Sequence, residues 1–214
     1  GQDLTVFDRF IDSSMRSGDP SEQHHQSVDA IAGMFGTGEE SKDRKAQLSE
    51  SRKAMNESGD TADMTGVRLQ EVVADGVPAE WVLVEGADPQ KRLLYIHGGG
   101  FMMGSPRSHR VITTTLSRIT NASVLAIDYR LTPENKRVAC IEDCQAAYKW
   151  ILDNGPDGQA GAPSSFFIAG DSAGGNLTLM SIAWARDMGL PAVNAAVALS
   201  PLTDSTFSSP SMRS

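Results

Sequence analysis

The chain has 214 residues, 40% of them hydrophobic and 21% charged, with a formal net charge of −8. These values suit a globular domain with a sizeable core. The absence of any long basic run argues against nucleic acid as a partner, and no apolar stretch reaches the length of a membrane span.

Residues 1–65 read as a helical segment. Val6, Phe7, Phe10 and Ile11 mark one amphipathic helix, and Val28, Ile31, Ala32 and Phe35 mark another. Residues 42–55 are mostly polar and are expected at the surface. Asp3 and Asp8 stand where a signal peptide would be basic and then apolar, so no export signal is visible. The cytosol is the better expectation. From Val67 the pattern turns to strands. Residues 67–74 and 77–84 flank Asp75-Gly76, a two-residue hairpin signal.

Strands and helices then alternate. Residues 93–96 form a strand, and Ser105-Pro106 opens a helix with Ile112, Leu116 and Ile119 on one face. A strand at 124–127 precedes a helix that carries Cys140 and Cys144 and stops at Asn154-Gly155-Pro156. Residues 166–169 form the next strand, and the helix behind it ends at Gly189 and Pro191. Residues 195–199 read as one more buried strand. Continuous apolar strands between helices predict an α/β fold, a mostly parallel sheet covered on both faces by helices. The expected organisation is therefore a helical segment over 1–65 and an α/β core over 66–214.

The two cysteines lie four residues apart on one helix, where disulfide geometry is rarely met. They fall in register with Ala147 and Ile151 and read as small core residues. Without a second pair of His or Cys ligands they make no zinc site. No metal is expected.

Gly170-Asp171-Ser172-Ala173-Gly174 follows an apolar run and leads into a helical pattern. This is the strand–turn–helix context of a G-x-S-x-G nucleophile elbow. A serine hydroxyl attacks a carbonyl only when a sharp turn lifts it into a cleft, and small neighbours let backbone and substrate approach. Ser172 is thus the candidate nucleophile, and the N–H of Ala173 is a candidate oxyanion donor. Upstream, His97-Gly98-Gly99-Gly100 directly follows a strand. A glycine run there supplies backbone N–H groups for an oxyanion hole. No Gly-Lys-Ser/Thr follows, so a phosphate loop is disfavoured. Ala173, the strand-to-helix context and the scarcity of cysteines also exclude the G-D-S-G-G of chymotrypsin-like proteases.

Three stretches together carry a family resemblance. They are His97-Gly98-Gly99-Gly100-Phe101, Asp128-Tyr129-Arg130-Leu131-Thr132-Pro133-Glu134, and Gly170-Asp171-Ser172-Ala173-Gly174-Gly175-Asn176-Leu177. In order and spacing the chain resembles the hormone-sensitive-lipase-like branch of the α/β-hydrolase family, which includes many bacterial carboxylesterases. The resemblance covers residues 67–204. It breaks after Glu134, where Asn135-Lys136-Arg137-Val138 replaces the usual His-Pro-Phe-Pro.

The resemblance implies a carboxylic ester hydrolase acting on short- to medium-chain acyl esters, a small-molecule substrate, and no cofactor. It assigns the further oxyanion donors to Gly99 and Gly100, with Gly98 as an additional candidate, and gives residues 1–65 the place of a cap. Some relatives instead bind small molecules without catalysis after losing the histidine. A serine hydrolase of this type needs an acid and then a histidine after the serine. His24, His25, His97 and His109 all precede Ser172, and only Asp187 and Asp204 follow it as carboxylates. The resembled fold also continues past residues 195–199. The expectation is a chain forming the N-terminal portion of a longer enzyme, with the triad acid and histidine on a missing C-terminal part or on a second chain. Oligomeric state, a homo-oligomer included, is left open.

Overall fold

The computed structural model describes Glu22 and residues 44–203. The helices expected around Phe7 and Ile31 lie outside the described residues. From Arg44 on, the described residues open with a polar helix, α1 (Arg44–Ser58), which buries no residue. Six strands follow: β1 (Val67–Ala74), β2 (Val77–Val84), β3 (Asp88–Ile96), β4 (Ala122–Ile127), β5 (Ser165–Asp171) and β6 (Ala195–Leu199). Three helices separate the later ones: α2 (Arg110–Thr120), α3 (Arg137–Asp153) and α4 (Ser172–Asp187). The strands form one sheet in the order β1-β2-β4-β3-β5-β6. β2 runs antiparallel to both of its neighbours, β1 and β4, while β4-β3-β5-β6 is parallel.

The Asp75-Gly76 hairpin forms as expected, with Ala74 paired to Val77. Both turn residues have positive φ, 50° and 86°, as the tight hairpin turn demands. β4 is buried at all six positions, which explains the apolar run at 124–127. Alternation along β3 divides the core. Leu94 and Ile96 join Ile127, Cys144, Ile151 and Leu177 in the layer that α3 and α4 cover. Leu93 and Tyr95 pack with Val124 and Ala126 under Ile112 and Leu116 of α2. Both cysteines are free and buried.

Two expectations need correction. Ile119 is 72% exposed, because the buried stripe of α2 is centred on Thr113, Thr114 and Ser117. At 100° per residue Ile119 lies about 200° around the helix from Ser117. The hydroxyl of Thr114 returns to the Arg110 carbonyl at 2.7 Å, so burial leaves it satisfied. β6 was expected to be buried, yet Val197 is 47% exposed. It pairs with β5 along one edge, and no other described strand lies beyond it.

The topology positions the site. From β3 the chain moves through α2 to β4 on one side, then returns through α3 to β5 on the other side of β3. The reversal puts the carboxyl ends of β3 and β5 next to each other, Ile96 opposite Gly170. Crevices at such reversal points are where open α/β sheets bind ligands.

Ile127, fully buried in β4, tests the core: Ile127→Ala should cost about 2–5 kcal/mol in urea unfolding. Val73→Ala, at a residue 64% exposed, should stay within about 0.5 kcal/mol.

Candidate active site

Ser172 sits between β5 and α4 with φ of +51°, a left-handed conformation that costs a non-glycine residue roughly 1–2 kcal/mol. Its side chain is exposed. The strain is held by the glycines around it. A Cβ at Gly170 would reach the Ile96 carbonyl oxygen at 2.6 Å, and one at Gly174 would collide with that same oxygen. Only glycine lets the elbow press this closely on β3. Ala173, the next residue, is fully buried.

The glycine turn leaves β3 beside it. Gly99 and Gly100 have φ of +113° and +62°, and the Gly99 carbonyl accepts from Met102 N at 3.1 Å and Met103 N at 3.0 Å. Gly98 N–H donates to Asp171 Oδ1 at 2.9 Å. Of the three candidate glycines, Gly98 therefore has its amide committed to the fold.

Asp171 binds the two loops together. Its Oδ1 also accepts from the Tyr95 hydroxyl at 2.7 Å, and its Oδ2 faces His109 Nε2 at 3.4 Å. Burial opposes ionisation of this carboxyl, but the hydrogen bonds from His109, Tyr95 and Gly98 outweigh it and hold its pKa below the usual range. The same burial and the adjacent carboxylate push the Tyr95 phenol upward.

His97 braces the turn. Its Nδ1 lies 2.7 Å from the Gly98 carbonyl, which makes Nδ1 the donor. The ring stacks on Tyr129 at 4.2 Å between centroids, and the Tyr129 hydroxyl donates to the His97 carbonyl at 2.8 Å. Burial, reinforced by neighbouring His109, lowers the His97 pKa to about 3. A neutral ring locked in this way is a strut.

On the far side of the glycine turn, Phe101 (φ +64°) hands its carbonyl to Thr132 N at 2.8 Å. Arg52 of α1 donates to the Met102 and Thr132 carbonyls and forks onto Glu134 at 2.8 Å. The hydrogen bond from Arg52 drives the Glu134 pKa down to about 2. Arg137, in the stretch that departs from the family pattern, stacks 3.9 Å over the Phe101 ring and donates to Asn176 Oδ1 at 3.0 Å. A cation thus packs on the face of the Phe101 ring.

The structure brings Ser172, Ala173 and the glycine turn to adjoining strand ends. Among the described residues it brings no histidine base to Ser172, since His97 and His109 are both committed to the bracing network. Asp187 pairs with Arg186 at the opposite end of α4, about 22 Å along the helix from Ser172. His24, His25 and Asp204 lie outside the described residues. Sequence reasoning missed Asp171, Tyr95, Arg52 and Arg137. The acid before the serine was the one available signal, because a carboxylate drawn partly out of water needs donors.

The family model for the alpha/beta hydrolase fold matches residues 93–214. The chain belongs to the α/β-hydrolase family. Its relatives place it in the hormone-sensitive-lipase-like branch. An acetyl-hydrolase of Streptomyces hygroscopicus is 37% identical over 162 residues, which are 75% of this chain and 52% of the relative. The carboxylesterase/phospholipase LipF of Mycobacterium tuberculosis is 38% identical over 56% of this chain and 29% of its own length. An esterase from the bacterial hormone-sensitive lipase family superposes with a TM-score of 0.72 at 32% identity, covering 87% of this chain and 60% of that one. An esterase/lipase from an uncultured bacterium gives 0.73 at 35% identity, covering 88% and 61%. The chain spans about half the length, or less, of the curated relatives it matches.

Two outcomes follow from this geometry. Folded His97 stays neutral down to about pH 3, whereas the unfolded ring takes its proton near 6.5. The unfolded state therefore binds more protons in that window, and stability falls by up to about 1.4 kcal/mol per pH unit on acidification below 6.5. Urea unfolding at several pH values should show this slope, flattened in His97→Asn. Separately, a Cβ at Gly99 would collide with the Met103 carbonyl, while Gly100 has open space around it. Gly100→Ala should cost only about 1–2 kcal/mol, the left-handed strain. Gly99→Ala should cost more and perturb the amide signals of the whole turn by NMR.

Proposed function

We propose that this chain carries the nucleophile and oxyanion elements of a carboxylic ester hydrolase. One observation supports the reading above others: an exposed serine at φ +51°, directly after a carboxylate that grips the first amide of a glycine turn. A helix-capping serine needs neither the left-handed backbone nor the adjoining turn.

In this reading Ser172 Oγ attacks the ester carbonyl carbon and passes its proton to a histidine. The C–O bond to the alcohol then breaks, the alcohol takes that proton, and an acyl-enzyme remains. Water repeats the sequence and releases the acid. Negative charge that develops on the carbonyl oxygen meets the N–H groups of Ala173, Gly99 and Gly100. Gly98 acts instead as the anchored end of the turn. The triad acid and histidine are proposed to lie C-terminal to the described residues or on a second chain, following the order serine, acid, histidine. Residues 1–65 are proposed as the cap. Short- to medium-chain acyl esters are the proposed substrates, supported by the name acetyl-hydrolase on one relative.

Loss of the histidine costs about 10⁶ in turnover in a serine protease, so the 214-residue chain alone should barely hydrolyse p-nitrophenyl butyrate. The longer polypeptide that includes the histidine should hydrolyse it, and a fluorophosphonate should label Ser172. Robust turnover by the 214-residue chain, abolished in Ser172→Ala, would place the base within these residues and sink the division of labour. No labelling of the longer polypeptide would sink the hydrolase reading itself.

A further inference from the structure

The glycine turn is suspended between two anchors, and only one belongs to the catalytic strands. At its start Gly98 N–H is held by Asp171. Its far arm, Phe101 and Met102, is held from outside the sheet by a residue some 50 positions earlier. Arg52 Nε donates to the Met102 carbonyl at 2.7 Å. Its Nη2 donates to the Thr132 carbonyl at 3.0 Å, and Thr132 in turn donates to the Phe101 carbonyl through N at 2.8 Å and Oγ1 at 3.1 Å. Glu134 takes the remaining face of the guanidinium with both oxygens at 2.8 Å.

The chemistry of the fork explains the residue type. A planar guanidinium offers donors along two edges at fixed angles, so it can satisfy two carbonyls and a carboxylate at once. A lysine ammonium cannot hold that shape. The arm also needs an outside support. Gly99 and Gly100 sit at positive φ, and glycine has the widest backbone freedom to lose. The turn's own bonds are the two short-range ones to the Gly99 carbonyl. α1 itself buries no residue. Its polar contacts include those of Arg52 and of Asn56, whose side-chain oxygen accepts from Ser105.

We infer that Arg52 is a positioning residue for the oxyanion turn: through Met102 and Thr132 it fixes the direction of the Gly99 and Gly100 amides, with Glu134 orienting the guanidinium. It couples the polar helix α1 to the reacting centre without touching substrate. The inference rests on the ester hydrolase reading for its kinetic consequence and on geometry alone for its structural one.

Two measurements test it. In the longer, catalytically complete polypeptide, Arg52→Met should lower kcat by about tenfold or more and leave KM within about twofold, because the oxyanion contacts matter chiefly in the transition state. Arg52→Lys should recover little of the loss, and Glu134→Gln should lose less than Arg52→Met. In the 214-residue chain, hydrogen exchange should quicken by about tenfold at the Met102 and Met103 amides in Arg52→Met, with β3 and β5 unchanged. An unchanged kcat with unchanged exchange at 98–103 overturns the assignment. So does exchange that quickens evenly across the sheet, the mark of a general structural role. If Arg52→Met fails to fold, the same two readouts in Arg52→Lys decide. If the longer wild-type polypeptide shows no esterase activity, the functional reading falls, while the exchange result still decides the role of Arg52.

Discussion

One half-buried carboxylate holds the site together. Asp171 is the last residue of β5, one position before Ser172, and it accepts the N–H of Gly98, two positions beyond β3. Because β3 and β5 are hydrogen-bonded neighbours, that single contact fixes the spacing between elbow and glycine turn. Taking a carboxylate out of water is costly unless donors surround it. Here Gly98, Tyr95 and His109 surround it, and each of those groups is packed in turn against others.

Around that contact, the site is built as a layered set of braces. His97 and Tyr129 stack beneath the start of the turn, while Thr132 and Arg52 secure its far arm. The elbow rests on glycines that admit the Ile96 carbonyl. Strain at Ser172 is thus confined by neighbours that have no room to yield, the condition under which a costly backbone conformation persists. The arrangement also explains the histidines. Both described imidazoles are structural members of the brace, and that occupation removes them as bases.

The departure from the family pattern after Glu134 has a local physical answer. In the stretch where the resemblance breaks, Arg137 lays its guanidinium on the Phe101 ring and reaches Asn176 of α4. Asn176 then donates to the Leu202 carbonyl, and Leu202 N–H donates to the Ser172 carbonyl at 3.0 Å. A polar relay thus joins the glycine turn, the elbow helix and the segment after β6.

The sequence alone determined the elements and the motif positions, because these depend on local pattern. The Asp75-Gly76 hairpin, the continuous apolar run of β4 and the strand–serine–helix junction at Ser172 are each written in a few adjacent residues. The glycine-rich motif and the elbow were legible for the same reason. Burial on α2 and β6 was not. Ile119 and Val197 are apolar, but their exposure depends on helix phase and on which neighbours a strand finds. The bracing network was not legible either. Arg52 with Glu134, Asp171 with Gly98, and Arg137 with Phe101 are pairs far apart in the chain, and each residue by itself resembles an ordinary surface or turn position. Only the crossover that sets β3 against β5, and the return of α1 onto their loops, decides that these groups meet.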